Sequence, residues 1–397
     1  MIGIPVDVQQ DESEWHDPPL GPSSNTPRSR SAASDIERAA DLITASRRPL
    51  VLAGRGAVLA NARTSLEALG DQIGALYATS LVANGFFAGH PLSLGVCGGF
   101  GSELAHTVVP QSDLVLAFGA SLNQWTTMHG RLIDGESVVQ CDADPAAIGA
   151  NRRVRLGLVG DAAETAAALT AELVRRGHRA TGFRGTPVEQ QLRAYVPGEQ
   201  FEANEEDGLV DPRSVVVTLN RLLPSERTIT YDSGHFHWFP TPYLAVPDAA
   251  GFVAAQGFQS VGIALGTAVG AAAARPDRIA LVFIGDGGTL MQLGEIDALT
   301  AQGLRVVVAI LNDGAFGAEV HHFEPMGFSP ELVQFGDRDL AGVARALGAA
   351  AAAVRSIGDL EQAVTKWLAG SQGPLVLDCK VNPRVRSEGL QEAFRQH

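Results

Sequence analysis

Two side chains stand out for their chemistry: an aspartate between glycines, in Gly285-Asp286-Gly287, and an asparagine twenty-six residues further on, Asn312. A carboxylate and an amide carbonyl are hard oxygen donors. Mg²⁺ is usually held by one or two protein ligands of this kind, with phosphates of a substrate completing its octahedron. The pair therefore points to a bound diphosphate. Each residue ends an apolar run, Ile279-Ala280-Leu281-Val282-Phe283-Ile284 before the aspartate and Val306 to Leu311 before the asparagine. Uninterrupted apolar runs of this length are expected of strands buried on both faces of a parallel sheet. The pattern from Leu290 to Gln302 predicts the helix that crosses between them. Both donors should then emerge at one carboxyl edge, where open α/β sheets bind ligands. In a chain with 44 glycines among 397 residues, a Gly-Asp-Gly arises by chance about 0.3 times. The spacing to Asn312 and the strand preceding each donor are what set this Gly-Asp-Gly apart from a chance one.

Composition narrows the class of protein. A 45% hydrophobic and 19% charged chain of 41.6 kDa is long enough for two cores. A net charge of -14 argues against nucleic acid, whose binding depends on Lys and Arg neutralising phosphates. Cys97, Cys141 and Cys379 are scattered and odd in number, which suggests neither a disulfide framework nor a zinc site. That usage fits a reducing cytoplasm. No basic-plus-apolar leader and no 18-residue apolar span gives reason to invoke export or a membrane.

The elements that must carry the site fall into two series. Residues 1–34 read as an N-terminal segment and linker, polar and rich in Pro, Ser and Arg from Gln9 to Ala33. Asp35 is the expected N-cap of an amphipathic helix through Ala45. Strands are predicted at Pro49 to Ala53, Leu114 to Phe118 and Ser137 to Cys141, with helical patterns between them and over Ala162 to Arg175, giving a parallel α/β domain at 35–175. Residues 176–208 read as a connection, with acids clustered from Glu202 to Asp207. A second domain at 209–397 runs helix (Pro212 to Leu223), strand (Thr228 to Tyr231), Asp232 loop, alanine-rich helix, the aspartate strand, helix, the asparagine strand, helix (Asp339 to Gly348) and a last strand at Pro374 to Asp378. The fold class is α/β, with two doubly wound parallel-sheet domains. Gly54-Arg55-Gly56 is not a dinucleotide fingerprint, since its spacing is not GxGxxG and no acid follows a second strand at the expected distance.

At this point the residues resemble a known family. Gly285-Asp286-Gly287-Gly288, Asn312-Asp313-Gly314 and Phe316-Gly317 are similar to the thiamine-diphosphate signature of the 2-oxoacid decarboxylase and acetolactate synthase superfamily. Asp232-Ser233-Gly234-His235 resembles its element near the diphosphate. Gly257-Phe258-Gln259-Ser260-Val261-Gly262 resembles its segment beneath the thiazolium ring, and 35–175 its Rossmann-like central domain, including Asp142-Ala143-Asp144-Pro145 and Gly149-Ala150-Asn151. The resemblance implies thiamine diphosphate and Mg²⁺ as cofactors. It assigns the Asp286 and Asn312 side chains and the Gly314 carbonyl to the metal. Gly285, Gly287, Gly288 and the Thr289 hydroxyl fall to the diphosphate, where a helix amino terminus favours negative charge. Gly234, His235, Phe316 and Gly317 are further expected contacts. Val261 matches the apolar residue that props the cofactor into its bent form, ordinary core packing being the other reading. Acetolactate synthases carry FAD in the central domain, but their Arg- and Asp-rich segment is replaced here by Ala120-Ser121-Leu122-Asn123-Gln124-Trp125-Thr126-Thr127, which makes FAD doubtful.

The family's first domain supplies a glutamate that hydrogen-bonds the aminopyrimidine ring. This chain opens with Met1 to Gln9, which resembles the end of that domain, so the pyrimidine-binding domain is expected on a separate partner chain, in a hetero-oligomer with at least two copies. A truncated piece of a longer protein is the rival explanation. The catalytic residues are not settled by the sequence; His235, His237 and His321 are candidates for handling protons or a substrate carboxylate, and either His321 or His322 is expected on a solvated helix surface. The implied substrate is a small 2-oxoacid, decarboxylated with possible carboligation. An acetolactate synthase-type carboligase of two oxoacids is the alternative, and a non-catalytic regulatory or degenerate homologue a third. The tail from Val381 to His397 carries no assignable motif.

Overall fold

The computed structural model describes residues 5–12, 14, 29–180, 183–185, 187–206, 208–254, 260–387 and 389–390. Twelve strands among these form two six-stranded parallel sheets. The first holds β1 (Pro49–Ala53), β2 (Leu76–Thr79), β3 (Ser93–Val96), β4 (Leu114–Phe118), β5 (Val138–Asp142) and β6 (Leu156–Val159), in the order β3-β2-β1-β4-β5-β6. The second holds β7 (Arg227–Tyr231), β8 (Phe252–Ala254), β9 (Ile279–Gly285), β10 (Val306–Asn312), β11 (Ala350–Val354) and β12 (Leu375–Lys380), in the order β11-β12-β10-β9-β7-β8. The α/β class with two doubly wound sheets is as expected. The winding reverses between β1 and β4 in the first sheet and between β7 and β9 in the second, where the chain also turns back from the edge strand β11 to place β12 beside β10. Such switch points open a crevice at the carboxyl edge.

The central strands are apolar throughout because helices cover both faces. Every residue of β1, β4, β9 and β10 is buried. Alternate residues of β9 and β10 feed two separate cores: Leu281, Phe283, Val307 and Ala309 pack with Trp367 on one face, and Val282, Ile284, Val308 and Ile310 pack with Ala264, Ala268 and Leu299 on the other. At the first switch point the glycines of Gly54-Arg55-Gly56 have a packing role. Gly54 and Gly56 donate their N–H groups to Phe118 O at 2.9 Å and Gly119 O at 3.0 Å. A Cβ on Gly54 would lie 2.2 Å from Gly119 O, so only bare backbone fits.

Three local expectations are corrected. The first helix is Ala33–Ala45 with Ala32 at its N-cap; Asp35 lies inside its first turn and hydrogen-bonds Arg38 at 3.2 Å instead of capping. The helix predicted from Leu290 to Gln302 is two, Asp286–Met291 and Leu293–Ala301, broken at Gln292 (φ −127°, ψ 23°). The stretch expected as a connection carries a helix, Pro187–Ala194, and buries Phe183 against the first core. Of the motif beneath the thiazolium ring, Gly257-Phe258-Gln259 lies outside the described residues, as do Met1 to Ile4 and the tail from Gln391.

Candidate active site

The carboxyl edge of the second sheet faces a cavity of about 1570 Å³ whose opposite wall is the carboxyl edge of the first sheet. From the second domain it is lined by Gly234, His235, His237, Val261, Gly285, Asp286, Gly287, Gly288, Phe316 and Gly317; from the first by Arg55, Phe100, Asn123, Trp125, Asp142 and Asp161 among others. The structure thus gathers most of the residues selected by type and spacing onto one wall. Four are not on it: Thr289, Asn312, Gly314 and His321 lie behind or beside the lining.

Asp286 and Asn312 meet as the spacing implied. Register places Leu311 opposite Gly285, so the residues after them leave the sheet side by side. The Gly314 N–H donates to Asp286 Oδ2 at 2.9 Å and to Asn312 Oδ1 at 3.2 Å, so both oxygens converge on one point. Two hard oxygens, one anionic, suit Mg²⁺. Burial pushes the Asp286 carboxyl up to about 6, against the N–H groups of Gly287 and Gly314 that favour its charge. Beside it Asp313 is pushed up to about 8, by burial first and then by the charge of Asp286. A divalent cation would relieve that crowding of carboxylates.

Two of the expected contacts have protein partners in this structure. The Gly314 carbonyl accepts from the N–H groups of Phe335 at 2.8 Å and Gly336 at 3.0 Å. The Thr289 hydroxyl is fully buried and donates to Gly285 O at 2.8 Å, which closes the first helical turn.

The glycines of the turn are packed too closely by neighbouring side chains to carry one of their own. A Cβ on Gly287 would sit 2.4 Å from the Phe316 ring, and one on Gly288 2.6 Å from Asp232 Oδ2. Asp232, at the end of β7, is fully buried and knits the site together. Its carboxylate accepts from Gly262 N at 2.8 Å and Ser233 N at 3.0 Å, which fixes the loop that exposes Val261 to the cavity. Burial raises its pKa while those N–H groups oppose the shift. Gln292 stands at the break between the two helices. Its Oε1 accepts from Leu265 N at 3.0 Å, and its Nε2 donates to Gly288 O at 3.3 Å and Asp232 Oδ2 at 3.4 Å.

The histidines separate in role. His235 is buried beside Asp313, Nδ1 to Oδ2 3.8 Å, and meets the His321 ring edge-on at 4.8 Å. Burial, then the proximity of His321 and His237, pushes it down to about 3, so it is neutral at physiological pH. His237 is also pushed down to about 3 by burial, stacked between Trp238 (3.9 Å) and Phe100 (5.0 Å) with Nδ1 on the Gly234 carbonyl. His321 is half-buried, and both its ring nitrogens lack a hydrogen-bond partner among the described residues. Among the described residues no three His, Cys, Asp or Glu side chains gather as a metal cluster, and no helix is long and apolar enough to cross a membrane.

Sequence reasoning missed Asp378, Lys380 and Gln292, which stand behind the donors, and the aromatic wall of Phe100, Trp125 and Trp238. A buried polar residue within an apolar strand, as in Leu375–Lys380, was the available signal for the first two.

Comparison with known proteins agrees with this geometry. The family description "Thiamine pyrophosphate enzyme, central domain" matches residues 36–169, and "Thiamine pyrophosphate enzyme, C-terminal TPP binding domain" matches residues 232–379. Sulfoacetaldehyde acetyltransferase of Castellaniella defragrans is 27% identical over 366 residues, 85% of this chain and 61% of its own length. Acetolactate synthase large subunit of Parasynechococcus marenigrum is 28% identical over 322 residues, 79% and 51%. Acetolactate synthase large subunit IlvB1 of Mycobacterium tuberculosis is 25% identical over 395 residues, 95% and 63%. The chain spans half to two thirds of the length of these relatives. With both matched domains folded as parallel sheets that face one cavity, this chain belongs to the thiamine pyrophosphate enzyme family.

Proposed function

We propose that the chain is the diphosphate-binding part of a two-chain thiamine-diphosphate-dependent enzyme that acts on a 2-oxoacid. The convergence of Asp286 Oδ2 and Asn312 Oδ1 at the cavity's edge carries the proposal. Those two oxygens would hold Mg²⁺, and the bare backbone of Gly287 and Gly288 would let the diphosphate come close. When bound, thiamine diphosphate supplies the carbon nucleophile and the electron sink for cleavage beside a carbonyl. The protein's part is to orient and to exclude water. Val261 offers an apolar support from a loop pinned by Asp232. His235, neutral and backed by Asp313, can donate one N–H to a substrate oxygen or pass a proton at that atom. The glutamate for the aminopyrimidine would come from a partner chain, in an assembly with at least two copies of this one.

Carboligation is the second reading, as in acetolactate synthesis from two oxoacids or in acetyl transfer. The names of the relatives favour it.

The test is calorimetric titration of thiamine diphosphate into the chain, with Mg²⁺ and with EDTA, alone and mixed with the chain encoded beside it. We expect Mg²⁺-dependent binding that tightens with the partner, and weakening by about 100-fold or more in Asp286→Asn. Turnover of a 2-oxoacid by the chain alone would refute the split site, and absence of binding in every condition would refute the enzyme reading. Products formed from one and from two oxoacids separate decarboxylation from carboligation.

A further inference from the structure

An asparagine can serve a cation only through its oxygen, and its amide group is nearly symmetric in shape. Which end faces the cation is decided by its hydrogen-bond partners. At Asn312 those partners are on opposite sides. Nδ2 donates to Asp378 Oδ1 at 2.8 Å and to Arg338 O at 3.4 Å, both acceptors only; Oδ1 accepts the Gly314 N–H at 3.2 Å, on the side of Asp286. Asp378 is fully buried on β12, paired in register with Ile310 on β10. Its other oxygen takes Leu340 N at 3.0 Å, Ala341 N at 3.3 Å and Lys380 Nζ at 2.9 Å. Lys380, two residues along the same strand face and 4% exposed, is held in turn by Arg338 O at 2.6 Å and by Asp337. A buried carboxylate is expensive unless paired and hydrogen-bonded. This one is fully satisfied and spends one oxygen on the amide of Asn312.

We propose that Asp378, paired with Lys380, is a positioning residue that fixes the Asn312 amide with its oxygen toward Asp286 and so sets the divalent-cation affinity of the site. The inference rests on the functional reading above. It extends that reading to residues that touch neither the cavity nor any reacting atom, and it assigns a purpose to a buried ion pair within an otherwise apolar strand.

Asp378→Asn would present an amide to an amide and allow Asn312 to turn its NH₂ inward. Loss of a partner that orients a metal ligand typically weakens the metal by about 10–100-fold. The exchange Asn312→Asp with Asp378→Asn separates orientation from mere support: a carboxylate at position 312 has two equivalent oxygens, so one can always face the cation while the other accepts from the amide introduced at position 378. Binding of Mn²⁺ with thiamine diphosphate present, followed by electron paramagnetic resonance without substrate, is measured on the full chain. The unfolding midpoint without metal reports folding. We expect wild type to bind, Asp378→Asn to bind about 10–100-fold more weakly, and the exchanged pair to recover to within about threefold. Should Asp378→Asn not fold, the exchanged pair alone decides: folded and binding supports the inference, folded and not binding overturns it. Equal affinity in Asp378→Asn and wild type overturns the inference while the functional reading stands. A wild type that binds no Mn²⁺ overturns both.

Discussion

Asp286 and His237 show how burial acts in opposite senses on acids and bases within one wall. The carboxyls of Asp286 and Asp313 are pushed up and the imidazoles of His235 and His237 pushed down, each toward its neutral form. For His237 the sign follows directly. Its folded pKa of about 3 lies below the ordinary 6.5, so the unfolded chain takes up the proton first, and stability falls as pH drops from 6.5 toward 3. Asp286 and Asp313 work the other way, losing stability as pH rises through about 6 and about 8. A difference between two variants cancels their contribution. Relative to His237→Phe, wild type should therefore lose on the order of 3 kcal/mol between pH 6.5 and about 4, measured by denaturant unfolding at each pH. Phe100, Trp238, Tyr231 and the Gly234 carbonyl around the ring carry no charge, and its titratable neighbour His235 is also pushed down to about 3, below the pH window measured. Parallel curves for the two proteins would show that His237 is not buried as neutral imidazole.

Among the elements, the two switch points are built differently although their sheets are alike. At β7 and β9 polar side chains tie the loops together, through Asp232 and Gln292. At β1 and β4 backbone packs on backbone, through Gly54, Gly56 and Gly119. Gly119 has φ +58°, and a Cβ there would lie 2.4 Å from Gly56 Cα. Gly119→Ala should thus cost about 1–3 kcal/mol, from overpacking together with the unfavourable φ. Thermal unfolding should report it as a midpoint lowered by several degrees, while an alanine at Gly266, where nothing lies within 4 Å of the added atom, should leave stability unchanged or slightly raised. An unaltered midpoint in Gly119→Ala would mean that the loops at this edge are not packed as described.

At the scale of the whole molecule, one contact between the domains is a small aromatic cluster. Phe100 and Trp125 of the first sheet's loops meet Trp238 of the second, with Phe100 stacked on Trp238 at 4.8 Å and Leu390 closing the patch. Since this cluster also lines the cavity, it joins domain coupling to ligand access. We expect Phe100→Ala to cost about 3 kcal/mol and to divide calorimetric unfolding into two transitions, one per domain. A single transition with an unchanged midpoint would show that other contacts hold the domains together.

The sequence by itself determined the fold class, the central strands and the pairing of Asp286 with Asn312. Strands covered on both faces must be apolar from end to end, so Ile279–Gly285 and Val306–Asn312 announce themselves, and a donor following each must emerge at the same edge. Weakly patterned strands were not legible: Ala350–Val354 is four alanines and a valine, a composition that favours helix until a neighbouring strand supplies the ladder. Tertiary structure alone decided that the helix breaks at Gln292, that the Gly314 N–H bridges Asp286 and Asn312, and that the Thr289 hydroxyl bonds Gly285 O. It alone brought Asp378 and Lys380 behind Asn312 and the aromatic wall of one domain against the other. Those outcomes depend on which polar groups find partners across the fold, and a hydrogen bond spanning sixty-six residues, as between Asn312 and Asp378, leaves no periodicity in the chain.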